Sequence, residues 1–184
     1  EPAALVSLTA RLGSSDPVEL RAGLDEIAEG FDIARFGAAP TKFDPDDLKP
    51  LSHRVIAATP YAAVAWEIAA LGVPDAIAPR FWEVVRENVD TRAEMADWWA
   101  MFRDGADPEI PEEDRAFVAE ALELLPEPPW DETTWAAWTA RVRDATGRKG
   151  KALFMPLRLA LTGRTRGPEM ADVMPLLQKV RAKV

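Results

Sequence analysis

Apolar residues recur along this chain at spacings of three and four, and the strict alternation of a half-buried strand is missing throughout. That period predicts an all-α protein of nine or ten helices joined by short Pro/Gly turns. Helix starts are written in capping residues. Asp16-Pro17-Val18-Glu19 offers an N-cap, a proline at the first helical position and a glutamate three residues after the cap. Asp44-Pro45-Asp46-Asp47 repeats the logic with an acid in the glutamate's place. Asp90-Thr91 opens a segment from Arg92 to Arg103, Pro111-Glu112-Glu113 opens the next, and Asp131 opens one that ends near Gly147. Gly13, Gly30, Gly72, Gly105, Gly147 and Gly163 mark the stops, because glycine enters a left-handed C-cap without a Cβ penalty. Three prolines fall within four residues in Leu125-Pro126-Glu127-Pro128-Pro129-Trp130, which no helix continues through. The expected division is therefore a helical subdomain over residues 1–125 and a smaller one over residues 126–184.

Charge sharpens that division. The 184 residues carry a net charge of −9, but the sign is segregated. Residues 1–140 hold 11 Lys and Arg against 28 Asp and Glu, whereas residues 141–184 hold 11 against three, Asp144, Glu169 and Asp172. A balance of −17 followed by +8 points to a polyanion-facing surface at one end, with a solvated charge-mixed face as the plainer alternative. With 48% hydrophobic residues the chain is long enough to bury a core. Its lack of cysteine excludes disulfides, thiolate metal sites and a cysteine nucleophile. No apolar run approaches the ~20 residues of a membrane span, and no basic-then-apolar leader is present; the expectation is a cytoplasmic protein without a membrane partner. The amphipathic pattern Ala4, Leu5, Leu8, Leu12 begins almost at Glu1 rather than after a Met, which reads as a fragment of a longer protein.

Catalytic chemistry finds few candidates. His53 is the only histidine and lies on an expected helix beside Leu51 and Val55, without a nucleophile elbow for company. Glu112, Glu113 and Asp114 sit in a first helical turn, where carboxylates complement the dipole. Gly150-Lys151 fails as a phosphate loop: Ala145 stands where the first glycine belongs and Ala152 where Ser or Thr would hold magnesium. The seven tryptophans include Trp66, Trp98, Trp99, Trp135 and Trp138 at helical spacing among apolar neighbours, which reads as core packing.

Residues 147–163, GRKGKALFMPLRLALTG, stand apart: Arg148, Lys149, Lys151 and Arg158 occur there without an acid. Leu153, Phe154, Leu157 and Leu161 form an apolar stripe, and a seven-residue separation places Lys151 and Arg158 on nearly the same side of a helix. Pro156 removes a donor and is expected to bend or restart that helix. A basic turn, Thr162-Gly163-Arg164-Thr165-Arg166-Gly167-Pro168, follows, with a last helix that Pro168 can start and whose amino end would welcome phosphate. The physics supports a nucleic-acid contact and does not separate RNA from DNA.

These residues carry a family resemblance. Gly147-Arg-Lys-Gly-Lys151, Leu153-Phe-Met-Pro-Leu-Arg-Leu-Ala-Leu-Thr-Gly163 and Gly167-Pro-Glu-Met170 resemble the carboxy-terminal signature of bacterial glutamyl-tRNA synthetases. Phe31-Asp-Ile-Ala-Arg-Phe-Gly37, Ala39-Pro40 and Phe43-Asp-Pro45 resemble the segment following that family's catalytic half, and Trp130 and Trp138 fit the helix before the signature. The resemblance implies an all-helical, monomeric, tRNA-recognising region ending in two anticodon-binding subdomains. ATP and magnesium would serve a separate catalytic half whose two signature motifs do not occur here, so no cofactor and no charging activity are expected of this chain. Carried over by position, Arg158 reaches the anticodon loop, and Thr162, Gly163, Pro168 and Met170 frame an anticodon base; Lys149, Lys151, Arg164 and Arg166 are expected to join Arg158 in loop and backbone contacts. A further reading residue falls in Arg86-Glu-Asn-Val-Asp90. Members strict for glutamate tRNA place an arginine there; the register puts Asn88 at that place with Arg86 two residues away, which implies that glutamine tRNA is accepted beside glutamate tRNA. The rival readings are a DNA-binding helical regulator and a tryptophan-rich protein scaffold.

Overall fold

The computed structural model describes residues 1–21 and 23–181. Ten α-helices occur among them: α1 Pro2–Thr9, α2 Leu24–Glu29, α3 Leu48–Ala58, α4 Tyr61–Ala70, α5 Ala78–Val85, α6 Met95–Asp104, α7 Glu112–Glu123, α8 Thr134–Thr146, α9 Lys151–Thr162 and α10 Met170–Val173. The nearest approach to a sheet among the described residues is a lone bridge between Ser14 and Phe36. No described helix is long and apolar enough to cross a membrane.

Burial explains how the helices stack. One buried cluster runs from Ile56 to Leu177 and includes Phe81, Trp82, Trp98, Phe102, Trp138 and Leu157. A small second cluster consists of Ala4, Leu8 and Leu51, where α1 meets α3. The main cluster continues on both sides of residue 126. There the Trp130 indole donates to the Pro126 carbonyl at 2.7 Å, and the Trp138 indole donates to the Ala121 carbonyl at 2.8 Å. Arg92 joins the two clusters, donating twice to Glu1 at 2.9 and 3.0 Å and once to Glu67 at 2.8 Å.

Most capping signals act as their chemistry predicts. Thr91 and Glu94 form a capping box ahead of α6. Asp44 accepts the Asp46 N–H, and Asp131 accepts those of Thr133 and Thr134 ahead of α8. Gly147 and Gly163 end α8 and α9 in the left-handed region.

Several expectations fail for physical reasons. No helix starts at Asp16-Pro17, because the Asp16 carboxylate is taken by Arg35 at 2.9 Å and Arg11 at 3.3 Å, and Val18 stays exposed. Gly30 ends α2 at φ −96°, not in the left-handed region. Trp66 is 72% exposed: every α4 residue but Glu67 is apolar, so the pattern marks no inward face, and Val64 and Ile68 take it. Phe154 leaves the apolar stripe and is exposed, while Leu153, Leu157 and Leu161 are buried. Pro156 forces no restart, since α9 runs unbroken from Lys151 to Thr162. The last helix begins at Met170 rather than Pro168 and has four residues, too short a stack of peptide dipoles to make an anion site of its end.

Candidate nucleic-acid interface

Helix α9 is the spine of the site. Gly150 caps its start and Gly163 its end; Leu153, Leu157, Ala160 and Leu161 are buried on one side. Lys151 and Arg158 therefore share the opposite side, and Phe154 stands at the edge of the buried stripe, within one turn of both.

The basic turn after α9 is stitched down at both ends. The buried Thr162 hydroxyl donates to the Arg158 carbonyl at 2.8 Å and accepts the Arg164 N–H at 3.2 Å. The Arg158 guanidinium donates through Nη2 to the Pro168 carbonyl at 2.8 Å. Burial lowers its pKa, with Glu169 pulling the other way, and an arginine remains charged at neutral pH regardless. Between these ties the Arg164 guanidinium carbon lies 4.3 Å from the centre of the Trp98 ring, a cation–π contact with a buried face of α6. Gly167 passes close over the same indole: at its φ of 148°, a Cβ would sit 3.2 Å from Trp98 Cη2 and 3.5 Å from Arg158 Nη1. Met170 is buried beyond the turn.

Asn88 and Pro168, 80 residues apart in the numbering, line one cavity of about 400 Å³. Arg80 braces it, donating to Glu132 at 2.7 Å and to Asp172 at 3.3 Å. Asn88 Nδ2 donates to the Val84 carbonyl at 3.3 Å. Glu83, Glu87, Glu169 and Asp172 share the walls; carboxylates there disfavour phosphate and accept amino hydrogens. Arg86 is half-buried and lies outside this lining.

The remaining cations differ in what they are free to do. Lys149, Lys151, Arg164 and Arg166 are exposed and form no ion pair among the described residues. Lys151 and Thr165 border a groove floored by Met155 and Leu159. Arg148 is spent on structure: it pairs with Asp114, lies 4.0 Å over the Phe117 ring, and donates to the Ala152 carbonyl at 3.3 Å. That carbonyl is the one Pro156 leaves without a helical donor four residues on. The structure thus gathers Arg158, Thr162, Gly163, Arg164, Pro168 and Met170 around one turn and brings Asn88 beside it. Sequence reasoning missed Trp98 as the bed of Arg164 and Arg80 as the brace, since neither lies near the basic stretch in the chain.

A family described as an anticodon binding domain matches residues 57–182. The chain belongs to that family. The whole chain matches glutamate–tRNA ligase 1 of Roseobacter denitrificans at 60% identity, over 100% of this chain and 42% of that protein. Glutamate–tRNA ligase 2 of Dinoroseobacter shibae matches at 65%, over 97% of this chain and 41% of that protein. A solved glutamate-tRNA synthetase from Elizabethkingia anophelis covers 96% of this chain and 38% of that chain with a TM-score of 0.70 at 20% identity, a likeness of fold. The anticodon-binding domain is thus all-helical, as its periodicity predicts. The scaffold reading expected a tryptophan-rich surface, but Trp98, Trp99 and Trp138 are buried and Trp135 half-buried, while Trp66 stands exposed on α4.

Proposed function

We propose that this chain is the tRNA-reading part of a glutamate–tRNA ligase and holds the anticodon end of glutamate tRNA. What supports it most is the stitched basic turn. Arg158 and Thr162 fix its ends, Trp98 supports Arg164, and the Asn88–Pro168 cavity opens beside it. Exposed Lys149, Lys151, Arg164 and Arg166 take phosphates, which position the loop, and the cavity takes a base, which specifies it. All these groups come from one chain, so a monomer suffices. The division at residue 126 is on this reading one of roles: an acidic body supplies Asn88 and Trp98, and the basic part supplies the phosphate contacts. Asn88, in place of an arginine, leaves glutamine tRNA acceptable as well.

Among the described residues no group of three or more His, Cys, Asp or Glu could hold a metal ion, and no glycine-rich phosphate loop is present. On this reading ATP and magnesium belong to a separate catalytic half, and this chain contributes the tRNA contacts.

Titration of glutamate tRNA with the protein at two salt concentrations tests the reading. Arg158→Ala is expected to weaken binding on the order of tenfold, and Arg166→Ala to lower the salt dependence by about one ion. Unchanged affinity for both variants overturns it.

A further inference from the structure

Among the described residues nine large hydrophobic side chains are exposed; seven lie within residues 1–43, and Trp66 and Phe154 lie in the stretch matched by the family. Phe154 is 44% exposed on the solvent side of α9, four residues before Arg158. It therefore sits one helical turn from Arg158, ~6 Å along the axis.

Phe154 borders a groove of about 470 Å³ between α8 and α9, whose walls include Trp135, Thr139, Arg143, Lys149 and Leu153. That volume lies within the range of small-ligand sites, ~300–1,000 Å³. The aromatic wall is braced in sequence. The fully buried Trp138 is tied through its indole to the Ala121 carbonyl. Trp135 meets Trp138 edge-on, with centroids 5.6 Å apart at 67°. Phe154 lies against Trp135 at 6.3 Å and 37°. Two cations, Arg143 and Lys149, stand in the lining, and no carboxylate does; Asp144 pairs with Arg143 from outside it at 3.3 Å.

We propose that this groove is a second nucleotide subsite, in which an unpaired base of the RNA held by the basic turn stacks on Phe154 and its phosphate meets Lys149. The proposal rests on the tRNA-reading function above and extends its surface along α9. Three observations favour RNA over an apolar protein segment. The rim is cationic without a lining acid, the ring lies within one helical turn of Lys151 and Arg158, and the aromatic support is fixed by the buried Trp138. A rigid ring beside a cation suits base stacking, which tolerates any base because each has a π face. Phe154 does not serve the core, whose aromatic contact here is Trp138.

Binding of the anticodon stem–loop RNA of glutamate tRNA tests this. Phe154→Ala is expected to weaken binding on the order of tenfold with an unchanged salt slope. Lys149→Ala is expected to reduce the slope by about one ion. Phe154→Trp should bind as well as the parent or better, and Phe154→Leu should lose nearly as much as alanine. Scanning an abasic nucleotide through the loop should reveal one position at which Phe154→Ala has no further effect. Far-ultraviolet circular dichroism and Tm of each variant should match the parent, because Phe154 is exposed. Parental affinity for Phe154→Ala or Phe154→Leu, with Arg164→Ala still weakening binding, overturns the subsite and leaves the reading turn standing. Absence of a responsive loop position also overturns it. Failure of the parent protein to bind the stem–loop overturns both.

Discussion

At the scale of single residues, the sharpest constraints come from backbone positions that admit no side chain. Gly105 ends α6 at φ 78°, and a Cβ there would meet the Lys179 carbonyl oxygen at 2.9 Å and the Arg181 nitrogen at 3.0 Å. Both obstacles are backbone, so neither can swing aside. The carboxy-terminal strand of chain is pinned at the same place by the Gln178 N–H, which donates to the Phe102 carbonyl at 2.8 Å. Gly105→Ala is expected to cost about 2 kcal/mol, read as a fall in Tm of ~4–8 °C. Its glycine was legible as a helix stop; that residues 179–181 close over it was not, because nothing local records which distant segment will fill a turn. Arg148 teaches the complementary lesson. Composition groups it with Lys149 and Lys151, but an ion pair with Asp114, a ring and an orphaned carbonyl claim it. Charge counts along a sequence do not separate cations that face solvent from those that close a structure.

At the scale of the helix, the start of α8 offers a test by pH. The Thr133 hydroxyl, then the Thr134 hydroxyl, then the Thr133 amide hold the Asp131 carboxyl below its ordinary value of 3.8. A depressed folded pKa means the cap contributes fully above the unfolded value, ~3.9, and its contribution is lost as pH falls through the folded one. Asp131→Ala should therefore have a lower Tm than the parent near neutral pH, and the gap should close below about pH 4; a gap constant down to acid pH counts against the cap. Helix type and most boundaries were readable because capping chemistry is local: Thr91 with Glu94, Asp131 with Thr133, and Gly163 all act within one turn. Asp16-Pro17 had equally good local chemistry and formed no helix, since two arginines from elsewhere outbid the backbone for its carboxylate. Trp66 failed for the opposite reason: a helix apolar at every position but one, Glu67, says little about which face turns inward.

Across the whole molecule, cohesion is uneven. Between Arg11 and Leu51 no described residue is buried, and α2 contributes nothing to either core cluster. Amide hydrogen exchange should accordingly show weak protection over residues 12–47 and strong protection in α5 to α9, where opening demands loss of the main core. Equal protection across both regions would contradict the two-cluster picture. The functional surface draws on the firm part, which is why its cations can be displayed on a turn without losing their geometry. One contact there carries a practical consequence. Trp98 is a sealed indole with the Arg164 guanidinium resting on its face, so the turn holds a fluorophore and its perturbing charge in register. RNA that places a phosphate on the edge of Arg164 neutralises the charge resting on the ring. The molecule then announces occupancy of the turn as a change in its own emission, absent in Arg164→Ala, and no added dye is needed to follow it.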